Sequence, residues 1–214
     1  MGKYYLFSDL SEESGFSLVE EDFKRDLKDY KKIVFIASNP YIGTVTDKYA
    51  DRYMTWFERI GIHFENRVVL DNRLSSRAMI EEIRSASLIY LMGGTTDLQM
   101  KFLLDNDLVK HLRDAECLIM GLSAGAINMA KTSILTATCE HEKQEVYKGI
   151  GFVDKSVEPH FSLDNFSEEL KELSYNRLIY GMCDESAIII RDDKCEYYGD
   201  IYLLKDGEVE RLNR

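Results

Sequence analysis

Two prolines in 214 residues leave no proline-rich linker, and the 13 glycines are scattered instead of gathering at a boundary. There is no internal repeat and no low-complexity stretch. The whole chain, 1–214, therefore reads as one domain, long enough to bury a substantial core. Only four cysteines occur, Cys117, Cys139, Cys183 and Cys195, widely spaced and without a Cys-x-x-Cys pair. They read as free thiols in a reducing compartment rather than as a disulfide framework. Bases are scarce: 27 Lys and Arg stand against 38 Asp and Glu, for a net charge of −11, and they form no block. A nucleic-acid partner is not expected. No apolar run approaches the roughly 20 residues needed to span a bilayer. The stretch 1–7 is too short, and too soon followed by acids, for a signal peptide, so a cytoplasmic setting is expected. No metal or organic cofactor motif is present, and none is expected.

What the chain does contain is alternation. Apolar runs at 4–7, 32–38, 67–70, 88–92 and 117–120 have the unbroken character of strands buried on both faces. Between them, 18–27, 44–60, 76–85, 97–104 and 107–113 carry apolar residues at helical spacing, including a stripe at Tyr49, Tyr53, Phe57 and Ile60. Thr95 or Thr96 is placed to cap the helix at 97. Strict alternation with apolar strands predicts a mostly parallel sheet with helices on both faces, in which ligands bind at the carboxyl ends of the strands. Those ends are Asn39-Pro40-Tyr41, Gly93-Gly94-Thr95 and Gly121-Leu122-Ser123, and they converge on one cleft. The second half is less regular. It predicts strand and loop over 133–145, a helix from an Asn165-x-x-Glu168 capping box to about Tyr180, a strand at 187–190, and closing antiparallel strands at 195–198 and 201–204 with a turn at Asp206-Gly207.

The stretch 121–125 is Gly-x-Ser-x-Gly, after an apolar run and before a helical one over 124–131. Chance supplies about 0.07 such matches in a chain this long. A strand, a sharp turn carrying serine and a helix make a nucleophile elbow, and the helix N-terminus favours negative charge developing beside Ser123. Serine needs a base, usually histidine, and the base needs a carboxylate. Of four histidines, His63 and His111 fall at the amino ends of strands. That puts His111 about 15–20 Å from Ser123. His141 lies in a charged stretch, with no second histidine at metal-ligand spacing. His160, in a loop after an apolar piece, is the remaining base. For the carboxylate, Asp154, Glu158, Asp164, Asp184 and Glu185 are all available. Asp184 and Glu185 are the best placed, at the entry to the strand at 187–190.

In this order Gly93-Gly94-Thr95-Thr96, Gly121-Leu122-Ser123-Ala124-Gly125, Pro159-His160-Phe161 and Gly181-Met182-Cys183-Asp184 resemble the S51 family of serine peptidases, the peptidase E and cyanophycinase group. The resemblance runs from about residue 32 to the C-terminus. It implies a flavodoxin-like three-layer sandwich similar to class I glutamine amidotransferases, with small antiparallel C-terminal strands. It implies Ser123 as nucleophile, His160 as base, and the backbone N–H groups of Gly94 and Ala124 as the oxyanion hole. The family's acid is usually glutamate; its position falls on Asp184, one methylene shorter, with Glu185 in reserve. A position about fifteen residues after the serine, also considered in the family, is Thr138 here, with Glu140 nearby. The substrate implied is a small peptide, in dipeptidase fashion, with a homodimer open. Family dipeptidases that cleave after aspartate use a basic residue beyond the histidine. Here 161–169 is acidic and no arginine occurs before Arg177, which argues against strict aspartyl specificity and toward neutral or basic side chains. Two other readings are an esterase, whose order would be Ser, acid, His, and a binding protein that keeps the fold without catalysis.

Overall fold

The computed structural model describes residues 2–137, 143–192 and 194–213. In chain order the first half comprises β1 (Lys3–Phe7), α1 (Glu20–Asp26), β2 (Lys32–Ile36), α2 (Gly43–Arg59), β3 (Asn66–Leu70), α3 (Ser76–Arg84), β4 (Leu88–Leu91), α4 (Thr96–Asp105), α5 (Leu108–Arg113), β5 (Leu118–Leu122) and α6 (Ala124–Met129). The second half comprises β6 (Thr132–Leu135), β7 (Glu145–Lys148), β8 (Ser156–Pro159), α7 (Glu168–Ser174), β9 (Ile179–Met182), β10 (Ala187–Arg191), β11 (Lys194–Tyr198), β12 (Ile201–Lys205) and β13 (Glu208–Arg211). Thr138, Cys139, Glu140 and His141 lie outside the described residues.

The main sheet has the order β11-β10-β1-β5-β4-β2-β3. Strands β1 to β5 are mutually parallel, and β10 and β11 close one edge antiparallel. Successive residues face opposite sides. Tyr5, Phe7, Ile33, Phe35, Tyr90 and Met120 pack with Phe23, Trp56 and Phe57 of α1 and α2. Leu6, Val34, Ile36, Ile89, Leu91 and Ile119 pack with α3 to α6 through Met79, Ile83, Leu103 and Met129. The apolar runs are unbroken because both faces are covered. The result is the three-layer sandwich that the alternation predicts.

Beside it stands a four-stranded sheet, β13-β12-β9-β8, with β8 and β9 parallel. Its core is Ile134, Phe161, Leu170, Ile179 and Leu204. The Asp206-Gly207 turn joins β12 to β13 with both residues at positive φ, 52° and 78°, as a tight two-residue hairpin turn requires.

Several local expectations change. The helix expected from 165 to about 180 is α7 alone. It is capped by the Ser167 side chain, which accepts from the Leu170 N–H, and it ends at Ser174. Residues 179–182 become β9, because pairing with both β8 and β12 outweighs a local helical stripe. The helix after Ser123 stops at Met129, where Ala130 turns extended and bridges to Val153. Residues 132–135 and 145–148 then form the β6–β7 hairpin. Tyr49 is exposed on α2, and Trp56 fills the core instead. Neither Thr95 nor Thr96 is a side-chain cap for α4; Thr95 holds the cap position without a side-chain bond. Cys117 precedes β5 and is half-buried.

The two glycines of the serine motif pack β5 against α6. A Cβ at Gly121 would lie 2.5 Å from the carbonyl carbon of Gly125 and 2.7 Å from the nitrogen of Ala126. A Cβ at Gly125 would collide with the Leu91 carbonyl of β4. Both contacts are to backbone, which cannot swing aside. Gly121→Ala is therefore expected to cost about 1–3 kcal/mol, seen as a lower urea midpoint with unchanged slope.

Candidate active site

Ser123 occupies the turn between β5 and α6 with φ 46° and ψ −107°, a conformation rare for a residue with a side chain. Its amide is anchored to the Phe7 carbonyl of β1 at 2.9 Å. This is a strained elbow with an observed outlier, and it holds the hydroxyl at the carboxyl edge of the parallel sheet.

His160 follows β8 directly, and Asp184 comes two residues after β9. Because Pro159 pairs with Met182 in parallel register, the two side chains leave adjacent strand ends on the same edge. His160 also has positive φ, 57°, which turns the chain out of the strand. Ser123 Oγ lies 2.8 Å from His160 Nε2, and His160 Nδ1 lies 2.8 Å from Asp184 Oδ1. With Asp184 ionised, Nδ1–H donates to it. Nε2 is then left to accept the serine proton.

Around this chain of three stand residues that sequence reasoning passed over. Ser8, fully buried just past β1, accepts from the His160 amide at 2.7 Å and donates to Asp184 Oδ1 at 3.1 Å. One hydroxyl thus ties the histidine backbone to the acid. Asn165 donates to the His160 carbonyl at 3.0 Å and accepts from the Ser162 amide. Ser8 was findable, since it follows the apolar run 4–7 at the same sheet edge as Gly93 and Ser123. Asn165 was read as the cap of a helix, and nothing in that pattern tied it to His160.

Glu185, the reserve acid, faces elsewhere. Its carboxylate accepts from the Ser11 amide and the Ser14 hydroxyl, and its own amide donates to the Asp9 carbonyl. It binds the loop after β1 and does not reach His160. Gly93 and Gly94 run beside the serine: a Cβ on Gly93 would lie 3.5 Å from Ser123 Cβ, and Gly94 adopts φ 131°. Ala124 is buried at the first position of α6. His111 lines a separate surface pocket with Arg84 and Asp114, and His63 lies before β3.

Two clefts meet at Ser123, His160, Gly94 and Thr95. One, of about 770 Å³, runs toward β8 and α7; the other, of about 500 Å³, runs toward α2 and includes Asn39 and Gly93. Strand ends from β2, β4 and β5 therefore do converge on the serine. Among the described residues no group of three or more His, Cys, Asp or Glu is arranged to hold a metal ion, and no helix is long and apolar enough to cross a membrane.

Residues 6–198 match the family model for peptidase family S51. A peptidase from an acI-B1 actinobacterium has a similar structure, with a TM-score of 0.75 and 17% identity, over 99% of this chain and 94% of that one. A candidate peptidase E from Listeria monocytogenes EGD-e superposes with a TM-score of 0.67 and 22% identity, over 92% of this chain and 98% of that one. A search of curated proteins by sequence gives no match.

Proposed function

Because this chain belongs to peptidase family S51 and is a serine peptidase, we propose that it hydrolyses small peptides with Ser123 as nucleophile, His160 as general base and acid, and Asp184 as the group that orients and stabilises the histidine. The observation that carries this is the hydrogen-bonded chain Ser123–His160–Asp184, with two links of 2.8 Å. Ser123 Oγ attacks the scissile carbonyl as its proton passes to His160 Nε2. The negative oxygen is held by the backbone N–H groups of Gly94 and Ala124. His160 then protonates the departing amine, leaving an acyl group on Ser123. Water, deprotonated by the same nitrogen, releases it. Asp184 fixes the tautomer and balances the imidazolium charge in both halves.

Residues 1–214 act as one catalytic domain in this reading, since the nucleophile comes from the main sheet and its partners from the second. Free thiols at Cys117, Cys183 and Cys195 support a reducing, cytoplasmic setting. Arg177 lines neither cleft, and among the described residues no lysine or arginine does. That supports a peptidase without strict aspartyl specificity.

The test is labelling by a fluorophosphonate probe. A covalent adduct is expected on the folded wild type and none on Ser123→Ala. Absence of an adduct on the wild type would remove the serine mechanism.

A further inference from the structure

The mechanism gives no task to the carboxylates that line the larger cleft, Asp97, Glu158, Asp164 and Glu169, and of these Glu158 comes two residues before His160. Glu158 lies on β8, where alternate residues share a face, and His160, just past it, turns out of the strand. Burial follows that rhythm: Val157 and Pro159 are buried, whereas Ser156 and Glu158 are partly open. Glu158 therefore faces the larger cleft together with His160 and Ser123. Its Oε1 accepts from the Thr136 hydroxyl at 2.8 Å. Thr136 comes at the end of β6 and closes the cleft wall. On the other side of Ser123 the smaller cleft mixes apolar residues, Ile42, Val45 and Met92 among them, with polar ones that include Asp9, Ser38 and Asn39. Among the described residues four carboxylates thus line the larger cleft, and one, Asp9, lines the smaller.

We propose that Glu158 reads a positively charged group of the substrate, placed near the scissile bond by the cleft that it shares with Ser123 and His160. The group is a lysine- or arginine-type side chain or a free amino terminus. This rests on Ser123 being the nucleophile.

The surroundings of Glu158 favour that occupant. Burial pushes its carboxyl up to about 7, the charge of Glu169 pushes the same way, and the Thr136 hydroxyl works against both. Among the described residues, the ionisable groups facing the cleft from other elements are Asp97 of α4, Glu169 of α7 and Asp164 of the turn before α7, and just past its own strand there is His160. None is a permanent cation, so a positive substrate group meets no competitor. It stabilises the ionised carboxyl and offsets its desolvation. The sign for pH follows. Below about 7 Glu158 is largely protonated and neutral, so the advantage of a cationic over a neutral substrate grows as pH rises through about 7.

The experiment measures kcat/KM for Lys-Leu, Leu-Lys, Leu-Leu and Asp-Leu, with and without N-acetylation, on wild type and Glu158→Gln. If the side chain is read, one lysine peptide exceeds Leu-Leu by about tenfold, also when acetylated. If the amino terminus is read, acetylation of Leu-Leu costs about tenfold. In either case Glu158→Gln removes the ratio, and the wild-type ratio climbs with pH through about 7. Should Glu158→Gln not fold, Glu158→Asp and the wild-type pH dependence carry the test. Asp-Leu as the best substrate, or ratios unchanged in the variant and flat with pH, overturn the proposal. Fluorophosphonate labelling of the same preparations separates the two levels. Labelled Ser123 with unchanged ratios sinks Glu158 alone, and unlabelled wild type sinks the serine mechanism beneath it.

Discussion

His160→Asn is expected to lower kcat by about 10⁶-fold, the scale seen when a nucleophile–base pair is broken. Asparagine is the informative replacement. It tolerates the left-handed backbone that His160 adopts at φ 57°, yet it cannot take a proton from Ser123. Among the described residues Ser123 Oγ has no other basic partner within hydrogen-bond distance. The His160 side chain is half exposed, so its loss opens no core cavity, and stability should stay within about 1 kcal/mol. Activity and folding are then separable by measuring kcat beside a urea denaturation curve. Ser123→Ala should cost as much, and the double variant no more, because the two groups act as a unit. A loss of less than about a hundredfold would mean that another group serves as base.

The second large effect concerns the acid. Asp184→Asn is expected to lower kcat by about 10⁴-fold, whereas Glu185→Gln lowers it less than tenfold. The amide keeps the size and can still accept from Ser8. It supplies no negative charge for the imidazolium, however, and its NH₂ can hold the histidine in the wrong tautomer. Glu185 binds the loop after β1 through Ser11 and Ser14, so its replacement should register in the urea midpoint. Steady-state kinetics on one peptide, with both variants side by side, decides the matter. The opposite ranking would place the acid one residue further along.

Much of this was legible in residues 1–135. There each strand is a continuous apolar run and each helix a 3.6-residue stripe, so local pattern and global fold agree. The elbow was legible for the same reason, since Gly121 and Gly125 are demanded by backbone contacts that only a strand-turn-helix creates. Past Ser133 the pattern misleads. Residues 165–180 carry helical spacing and a capping signature, but β9 at 179–182 is held by two neighbouring strands distant in sequence. Glu158 was legible only as one of five acids available to the histidine, because a lone glutamate in a strand is ordinary until its cleft is known.

The sequence alone was enough to set the layered α/β architecture and to narrow the candidate nucleophile to Ser123 and the candidate base to His160, because histidines were few, strand polarity set aside His63 and His111, and His141 lay in a charged stretch. The family resemblance preferred Asp184 and kept Glu185 in reserve, and only the tertiary structure shows which of the two carboxylates contacts His160. They are one residue apart and equivalent in composition. Because Glu185 takes positive φ, 59°, and Ser8 reaches across from β1, one carboxylate is directed to the histidine and the other away from it. That choice is made by strand register and a single buried hydroxyl, which no local pattern of residues contains.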